Sequence, residues 1–328
     1  MISREQQTNV LLPSASWERV RDDILAMDRV TPVLFDDDQL LQVDGSAADA
    51  SIHMAWHNFE LPRSSVRPFA KLLLESELLE LVQTAAAGLD APFFSQLLER
   101  GVTLCNSDAQ SLSIAEYVVA SLLNVYHDFP ARKQLQGEQR WARHPFQELA
   151  GKHCLLIGYG NIGAKIADRL KAFEVSFTVL RREQHPIAGV DTVGGIDEIE
   201  RHLPSADIVV LACSLNEATH GLLNASRLGV CRPGSVVVNI ARGALIDESA
   251  LLAELDGGRL AHAVLDVFQE EPLPKDSPLW DHTCVTVSAH CSNFGSGRER
   301  RGDDLFLHNL RAYLSGTPFR NRVRSSGK

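Results

Sequence analysis

The sequence predicts an α/β protein built from two doubly wound, parallel-sheet domains (Rossmann-like or flavodoxin-like), with one domain inserted into the other. Apolar, β-branched runs alternate with amphipathic stretches along the chain, which is the pattern of a parallel sheet covered by helices. The length of 328 residues corresponds to about two domains at ~150 residues each. A polar-faced helix near the end of the chain can pack back on the first domain, which favours an insertion.

Composition excludes several classes of protein. Hydrophobic residues make up 45% and charged residues 23%, as in globular rather than disordered chains. The formal net charge of −10 argues against nucleic acid or an anionic membrane as the main partner. The six cysteines form no Cys-x-x-Cys pair, so we expect free thiols and no metal site. With no secretory signal pattern and no long apolar run, we expect a cytoplasmic protein without a membrane partner.

The first third of the chain predicts one compact α/β unit. Helices are predicted at 16–27 and 91–101, the second ending on Gly101, a good helix stop. The strands lie around residues 9–12, 32–35, 51–56, 79–84 and 102–105.

The middle of the chain predicts a second strand-and-helix series after two long helices. The helices cover 115–129 and 131–141, and the strands lie at 153–158, 175–180, 207–212, 235–240 and 261–267. A final helix at 297–316 is expected to return to the first unit. We therefore expect a substrate domain of residues 1–112 plus 302–328 and a dinucleotide-binding domain of residues 113–301.

A glycine-rich loop begins the second series. Gly158, Gly160 and Gly163 form the pattern G-x-G-x-x-G, which is weak alone. Here an apolar strand precedes it and an amphipathic helix follows, so helix N–H groups would face a pyrophosphate. The first glycine permits the turn, the second allows close approach of phosphate, and the third lets the helix pack on the strand. The loop indicates a dinucleotide site rather than a plain strand-to-helix turn.

The end of the next strand indicates which dinucleotide binds. NAD-selecting sites place Asp or Glu there, to accept a hydrogen bond from the ribose 2′-hydroxyl. This chain has Arg181 and Arg182, whose guanidinium groups can pair with a 2′-phosphate. The residues therefore favour NADP(H), with NAD(H) possible. Alternatively, both arginines are solvated and Glu183 makes the ribose contact.

Three ionisable residues follow later strands, where ligands bind in such sheets: Arg242, Glu271 and His290. Hydride delivery to a carbonyl carbon builds negative charge on its oxygen, and His290 can donate the proton that neutralises it. Glu271 would favour the imidazolium and orient it. Arg242 can bind a carboxylate and stabilise the developing alkoxide. Each has a structural alternative, but together they predict a catalytic set.

Seven segments together resemble the D-isomer-specific 2-hydroxyacid dehydrogenases, from about Leu79 to Val323. The segments are TAAAGLD (84–90), IAEYVV (114–119), ELAGKHCLLIGYGNIG (148–163), LNEATHGLLN (215–224), RPGSVVVNIARGALIDESAL (232–251), AVLDVFQEEPLP (263–274) and SAH (288–290). The resemblance implies a two-domain dehydrogenase, usually a homodimer, with its active site in the cleft between the domains.

The resemblance also implies roles for individual residues. Arg242 would bind the substrate carboxylate and carbonyl, His290 would be the acid/base, and Glu271 would support it. Backbone amides at Ala87 and Gly88 would hold the substrate. The cofactor-binding positions are Gly158, Gly160, Asn161, Ile162, Gly163, Arg181, Arg182, Cys213, Ile240, Ala241 and Asp266, of which Asp266 could hold the nicotinamide amide or cap a turn.

The chain departs from the family pattern at three places. Ala289 precedes His290 where proline is usual, which leaves the pose of the imidazole open. Cys213-Ser214 replaces a frequent Thr-Pro or Leu-Pro, and Arg181 stands where Asp is common, as in the NADPH-preferring reductases of the family.

The segments MAWHNFE (54–60) and EPLPKDSPLW (271–280) are similar to those of some glyoxylate/hydroxypyruvate reductases. There Trp56 would lie over the cleft and limit substrate size; the alternative is a core or surface aromatic.

The sequence therefore predicts hydride transfer from NADPH to a small 2-oxoacid such as glyoxylate or hydroxypyruvate. One alternative is a nucleotide-sensing, corepressor-like binding protein of the same fold. Formate or phosphoglycerate dehydrogenase is another.

Overall fold

The structure, a computed structural model, describes residues 7–48 and 51–323. The strands in chain order are β1 (Thr8–Pro13), β2 (Val30–Asp36), β3 (Gln39–Leu41), β4 (Met54–His57), β5 (Leu81–Thr84), β6 (Thr103–Cys105), β7 (His153–Ile157), β8 (Ser176–Leu180), β9 (Thr192–Gly194), β10 (Ile208–Leu211), β11 (Ser235–Asn239), β12 (Leu260–Leu265) and β13 (Val285–Val287).

The helices connect these strands. In chain order they are α1 (Ser14–Leu25), α2 (Val66–Glu75), α3 (Pro92–Glu99), α4 (Ser111–Tyr126), α5 (Phe129–Gly137), α6 (Asn161–Lys171), α7 (Ile199–His202), α8 (Ala225–Gly229), α9 (Glu248–Asp256) and α10 (Arg298–Ser315). Among the described residues, none of them is both long and apolar enough to cross a membrane.

The chain divides into two compact units. Unit 1 comprises Met1–Gln110 and Ser296–Lys328, and unit 2 comprises Ser111–Gly295. The second crossing lies at 295/296, whereas the sequence suggested 301/302. The structure assigns the whole of α10 to unit 1, since a continuous helix packed on one core belongs to that core.

Unit 1 contains a six-stranded sheet in the order β3-β2-β1-β4-β5-β6. All neighbours pair in parallel except β2 and β3. Side chains alternate along β1: Val10 and Leu12 pack on one side with residues of α1 and α10, and Leu11 packs on the other with residues of α2 and α3. Burial of both faces explains why these strands are short apolar runs.

Unit 2 contains a seven-stranded, all-parallel sheet in the order β13-β12-β11-β10-β7-β8-β9. Leu155 and Ile157 of β7 face one core, and Cys154 and Leu156 face the other. The chain reverses its direction of travel through the sheet at β7, which has β8 on one side and β10 on the other. Ligands bind at such a switch point, beyond the carboxyl ends of the strands. The predicted fold class is confirmed.

Candidate active site

The strand register of unit 2 brings the predicted residues to one edge of the sheet. Ile157 is aligned with Leu180 and Leu211, and the alignment continues from Leu211 through Asn239 and Leu265 to Val287. Each strand end is followed, within three positions, by a predicted site residue: Gly158, Arg181, Cys213, Arg242, Asp266 and His290. Because these ends are in register, the carboxyl edge carries both the dinucleotide motif and the catalytic candidates.

Two of the three glycines of the loop are required by close backbone contacts. Gly158 has a φ of +98°, and a Cβ there would lie 2.5 Å from the carbonyl oxygen of Ala212. A Cβ on Gly163 would lie 2.3 Å from the carbonyl oxygen of Gly158. A Cβ on Gly160 would meet nothing within 4 Å. Gly158 and Gly163 therefore allow close backbone packing, and Gly160 borders open space.

The start of α6 fits a phosphate. The helix begins at Asn161 after an extended Gly160, and no side chain caps its first N–H groups. Asn161 is exposed, and Ile162 packs partly against the core. Uncapped helix N–H groups beside open space suit the pyrophosphate of a dinucleotide, which would be held by backbone donors and the helix dipole.

Arg181 and Arg182 lie at the end of β8. The amide of Arg181 donates to the carbonyl of Gly194 at 2.9 Å, and its Nη2 lies 3.3 Å from Oε2 of Glu183. The Arg181 side chain is about a quarter exposed, and Arg182 is exposed. Glu183, the alternative ribose-binding residue, is therefore the ion-pair partner of Arg181.

Small and apolar groups line the strand ends between the motif and the catalytic candidates. Ile240 and Ala241 are buried, and the Ala241 amide donates to Oδ1 of Asn239 at 3.1 Å. Cys213 is half-buried, and burial raises the pKa of its thiol to about 11. Its side chain is therefore neutral at physiological pH. The cofactor contacts of these three residues stay predictions.

Arg242 is held by the backbone around it. Its carbonyl accepts from Nδ2 of Asn239 at 2.8 Å, and its Nη1 donates to the carbonyl of Ala241 at 2.7 Å. A Cβ on the next residue, Gly243, would lie 1.8 Å from the carbonyl carbon of Phe268. Only glycine permits this approach, which packs the loop after β11 against the loop after β12.

Glu271 and His290 form the central pair of the site. Nδ1 of His290 lies 2.8 Å from Oε2 of Glu271, while Oε1 of Glu271 accepts from the amide of Phe268 at 3.1 Å. The side chains of Glu271 and His290 are 37% and 46% exposed. The contact occupies Nδ1 and fixes the ring, so Nε2 is the nitrogen that can exchange a proton with a substrate.

Asp266 turns inward to the loop that carries His290. It is 1% exposed, and its carboxylate accepts from the amides of Cys291 and Ser292 and from the hydroxyls of Ser288 and Ser292. The carbonyl of Asp266 also accepts from the amide of His290 at 2.8 Å. Of the two predicted roles, the structure supports the cap on a turn.

In unit 1, hydrogen bonds hold the loop after β5 at Ala86 and Ala87. Ala86 donates to Oγ1 of Thr84 at 3.1 Å, and the carbonyl of Ala87 accepts from Nδ2 of Asn106 at 2.9 Å. With its amide oriented to satisfy both neighbours, Gln110 donates to the carbonyl of Ala85 and accepts from the amide of Ala87 at 2.9 Å. The Ala87 amide thus has an acceptor in Gln110 within unit 1, and the substrate contacts of Ala87 and Gly88 stay predictions.

The prediction that Trp56 covers a substrate is wrong. Trp56 is 2% exposed and stacks on Phe306 of α10, with ring centroids 5.4 Å apart and planes 7° apart. Its indole N–H points to Oδ1 of Asp303 at 3.4 Å. Trp56 is the third residue of β4, where side chains alternate between the faces of the sheet, and its face is covered by α10. The core alternative therefore holds.

Sequence reasoning missed the residues that support the predicted ones. Gln110 supports the loop of unit 1, and Tyr117, Ser288 and Ser292 lie around Asp266. The one available signal was a serine on each side of His290, because serines near a buried carboxylate often donate to it. The described residues hold no group of His, Cys, Asp and Glu side chains suited to a metal ion.

Comparison with known proteins assigns this arrangement to a family. The model of the D-isomer specific 2-hydroxyacid dehydrogenase, NAD binding domain, matches residues 119–292, more than half of the chain. The chain belongs to the D-isomer specific 2-hydroxyacid dehydrogenase family. The resemblance seen in the sequence is therefore confirmed, and the class of enzyme is an NAD(P)-dependent oxidoreductase that acts on CH–OH groups.

Three relatives illustrate the range of the family. The D-3-phosphoglycerate dehydrogenase of Bacillus subtilis (strain 168) is 31% identical over 275 residues, which are 82% of this chain and 51% of that protein. Glyoxylate/hydroxypyruvate reductase A of Citrobacter koseri is 29% identical over 225 residues, 66% of this chain and 72% of that protein. The chain spans about half the length of the phosphoglycerate dehydrogenase that it matches.

The third relative is a solved structure. The D-isomer specific 2-hydroxyacid dehydrogenase of Xanthobacter autotrophicus Py2, in complex with NADPH and MES, is similar with a TM-score of 0.77 and 25% identity. The match covers 97% of this chain and 98% of that chain.

Proposed function

We propose that this family member reduces a small 2-oxoacid of the glyoxylate or hydroxypyruvate type to its 2-hydroxyacid, with NADPH as the hydride donor. The observation that carries the proposal is the Glu271–His290 pair, 2.8 Å apart, at the sheet edge that also bears the glycine loop. A proton donor beside a nicotinamide site is what carbonyl reduction requires.

The residues of unit 2 divide the reaction between them. A bound nicotinamide supplies the hydride to the carbonyl carbon. The imidazolium of His290 donates the Nε2 proton to the carbonyl oxygen, so that the oxyanion never becomes fully charged. Glu271 accepts from Nδ1 and keeps the ring oriented through the step. Arg242 pairs with the substrate carboxylate and stabilises charge on the developing alkoxide.

Arg181 and Arg182 support NADPH as the donor. A 2′-phosphate carries more negative charge than the carboxylate of Glu183, so Arg181 would exchange its partner for the phosphate when NADPH binds. The relative from Xanthobacter autotrophicus, which holds NADPH, agrees with this proposal.

Two relatives indicate which substrates to compare. The relative from Citrobacter koseri supports glyoxylate and hydroxypyruvate. The relative from Bacillus subtilis is a phosphoglycerate dehydrogenase. Any assay must therefore include 3-phosphohydroxypyruvate, the oxidised partner of phosphoglycerate, as the competing substrate. Gly88 of unit 1 is proposed to donate its amide to the substrate carboxylate.

The test is nicotinamide absorbance against time with NADPH and with NADH. Glyoxylate, hydroxypyruvate, pyruvate and 3-phosphohydroxypyruvate are compared at equal concentration. We expect fast oxidation of NADPH with glyoxylate or hydroxypyruvate. A higher kcat/KM for 3-phosphohydroxypyruvate would reassign the substrate, and a preference for NADH would overturn the role of Arg181. Cofactor binding with no turnover of any 2-oxoacid would favour a nucleotide-sensing protein.

We also propose that the protein is a homodimer. Its proposed location, on the sequence alone, is the cytoplasm. Several large apolar side chains in unit 2 are exposed, among them Trp141, which is fully exposed, and Phe129 and Phe146, which both contact the ring of His127. Apolar groups clustered on a surface mark an association site. Trp141→Arg should convert a dimer to a monomer in sedimentation-equilibrium experiments. A wild-type monomer would refute this part of the proposal.

A further inference from the structure

The loop that carries His290 has a strained backbone and therefore needs external support. His290 has a φ of +50°, in the left-handed region that disfavours residues with a Cβ. Such a conformation persists only where surrounding contacts hold it. Ala289 precedes His290, so no proline ring restricts the loop at that position.

The support comes from the buried carboxylate of Asp266, which binds the loop on both sides of His290. On the N-terminal side, the hydroxyl of Ser288 donates to Oδ1 at 2.6 Å. On the C-terminal side, the amides of Cys291 and Ser292 donate to Oδ1 at 2.9 and 3.1 Å, and the hydroxyl of Ser292 donates to Oδ2. Together these donors satisfy a charge that would otherwise be costly to bury.

Tyr117 of α4 extends this network by one residue. Its hydroxyl oxygen lies 2.7 Å from Oγ of Ser288. A serine hydroxyl has a single proton, and the charged acceptor Asp266 takes it, so Tyr117 donates to Ser288. Burial raises the pKa of Tyr117, which keeps its hydroxyl protonated as a donor. The chain of donors thus runs from Tyr117 through Ser288 to Asp266.

We propose that Tyr117, Ser288 and Ser292 are positioning residues that act through Asp266 to hold the His290 imidazole in its proton-donating orientation. This inference rests on the proposed function, because it requires His290 to be the proton donor. None of the three side chains needs to touch the substrate. Their effect should appear in the chemical step and leave cofactor binding unchanged.

The test compares hydroxyl deletions with matched controls. Tyr117→Phe, Ser288→Ala and Ser292→Ala each remove one hydroxyl from the network. Tyr126→Phe is the tyrosine control, because it lies in the same helix and donates to the backbone of Asp207. Ser205→Ala is the serine control, because its exposed hydroxyl donates to the carbonyl of His202.

We expect Ser292→Ala to lower kcat by about 10- to 100-fold and Tyr117→Phe by about 3- to 10-fold, in line with loss of donors to a charged group. The Kd for NADPH, measured by fluorescence, should stay within twofold of the wild type, and both controls should keep full turnover. Ser292→Thr, which keeps the hydroxyl, should restore kcat to within about threefold. Equal losses in the controls, or a loss confined to NADPH affinity, would overturn the inference.

A double-substitution cycle separates this inference from the proposed function. In a His290→Gln background, adding Ser292→Ala should not lower the residual rate further, because the group being positioned is gone. A full additional loss would show a general structural role and overturn the inference. If His290→Gln alone keeps wild-type activity, the proposed function fails instead. If His290→Gln is inactive while the three deletions keep full kcat, only the inference fails.

Discussion

His290 shows how one residue acquires its chemistry from its neighbours. Its Nδ1 is engaged by Glu271 at 2.8 Å, and its backbone amide is bound by Asp266. The side chain stays 46% exposed, so that Nε2 can meet a substrate. An imidazole alone would be a surface histidine. Here the carboxylate of Glu271 orients the ring, and the backbone carbonyl of Asp266 holds the peptide that carries it.

Replacing His290 tests this assignment. We expect His290→Gln to lower kcat by ~10²–10⁴, the usual range for loss of a general acid, with an unchanged Kd for NADPH. His220→Gln is the matched control, since His220 is an exposed histidine of the same unit. Steady-state kinetics with glyoxylate and hydroxypyruvate make the measurement. Turnover within tenfold of the wild type would remove His290 from the chemical step.

The proposed preference for NADPH is tested at Arg181. Arg181→Asp replaces a cation that can pair with a 2′-phosphate by an anion that repels it. Charge-assisted hydrogen bonds contribute ~1.5–3 kcal/mol, so the Kd for NADPH should rise by about 10- to 100-fold relative to that for NADH. Arg201→Asp, with the same charge change on the exposed face of α7, should leave the ratio unaltered. An unaltered ratio in Arg181→Asp would instead favour Glu183 as the ribose contact.

At the scale of elements, the strand–loop–helix from β7 to α6 depends on glycine at two backbone contacts. A Cβ on Gly163 would lie 2.3 Å from the carbonyl oxygen of Gly158, so any other residue at this position would push α6 away from the loop. We expect Gly163→Ala to lower the free energy of unfolding by ~1–3 kcal/mol, as for an overpacked core, and to weaken NADPH binding.

The control for this prediction is Gly137→Ala at the end of α5. A Cβ there would meet nothing within 4 Å, so the change should be neutral or slightly stabilising. Denaturant unfolding and NADPH titration of both variants make the comparison. Equal stability of the two variants would mean that α6 can shift to accommodate a methyl group.

The packing of β4 against α10 provides a second prediction at this scale. Trp56→Phe keeps a ring beside Phe306 but leaves Asp303 without the indole N–H and opens a small cavity. We expect a loss of ~1–3 kcal/mol in the free energy of unfolding with little change in KM for the 2-oxoacid. The opposite result, a large rise in KM at unchanged stability, would restore the substrate role that the burial of Trp56 contradicts.

Across the whole molecule, partly buried histidines in both units predict acid sensitivity. Burial lowers the pKa of His57 in unit 1 and of His262 in unit 2 to about 4, from an ordinary value of 6.5. Between pH 6.5 and pH 4, each of these histidines is protonated in the unfolded chain and neutral in the folded chain. Stability is therefore fully present above pH 6.5 and falls as the pH drops toward 4, by up to about 1.4 kcal/mol per pH unit for each histidine.

Unfolding measured between pH 7 and pH 4 tests this expectation. His57 lies among the rings of Phe69, Phe93 and Phe94, so His57→Phe keeps these contacts. It gives up the contact of Nδ1 with Oγ1 of Thr84 at 2.9 Å and removes one titrating group. The variant should show a shallower loss of stability in this window. His220→Gln, at an exposed position, should keep the wild-type slope. A flat wild-type profile over the window would contradict the prediction.

Local patterns were sufficient for much of this molecule. The alternation of strands and helices predicted the fold class, because parallel strands buried on both faces are continuous apolar runs. The glycine loop, Arg242 and His290 could be located because each lies within three positions of a strand end, and parallel strands end at a common edge. Glu271 lies further along the loop after β12, and its contact with His290 brings it to the same edge. The short β3 and β9 were not predicted, since three-residue strands carry little periodicity. The ten-residue helix α2 was not predicted either.

Other features depended on contacts between distant segments. Trp56 could equally cover a substrate or fill a core, and only the packing of α10 on β4, 250 residues apart (306 − 56), decided for the core. Likewise, the carboxylate of Asp266 accepts hydrogen bonds from the loop of Ser288–Ser292, and the amide of Ala87 donates to Gln110. The sequence by itself determined the family, the sheet edge and the candidate site residues, because these follow from residue type and local periodicity. The tertiary structure decided which of those residues are buried and which groups satisfy them, because burial and hydrogen bonding depend on partners that the chain brings together only when it folds.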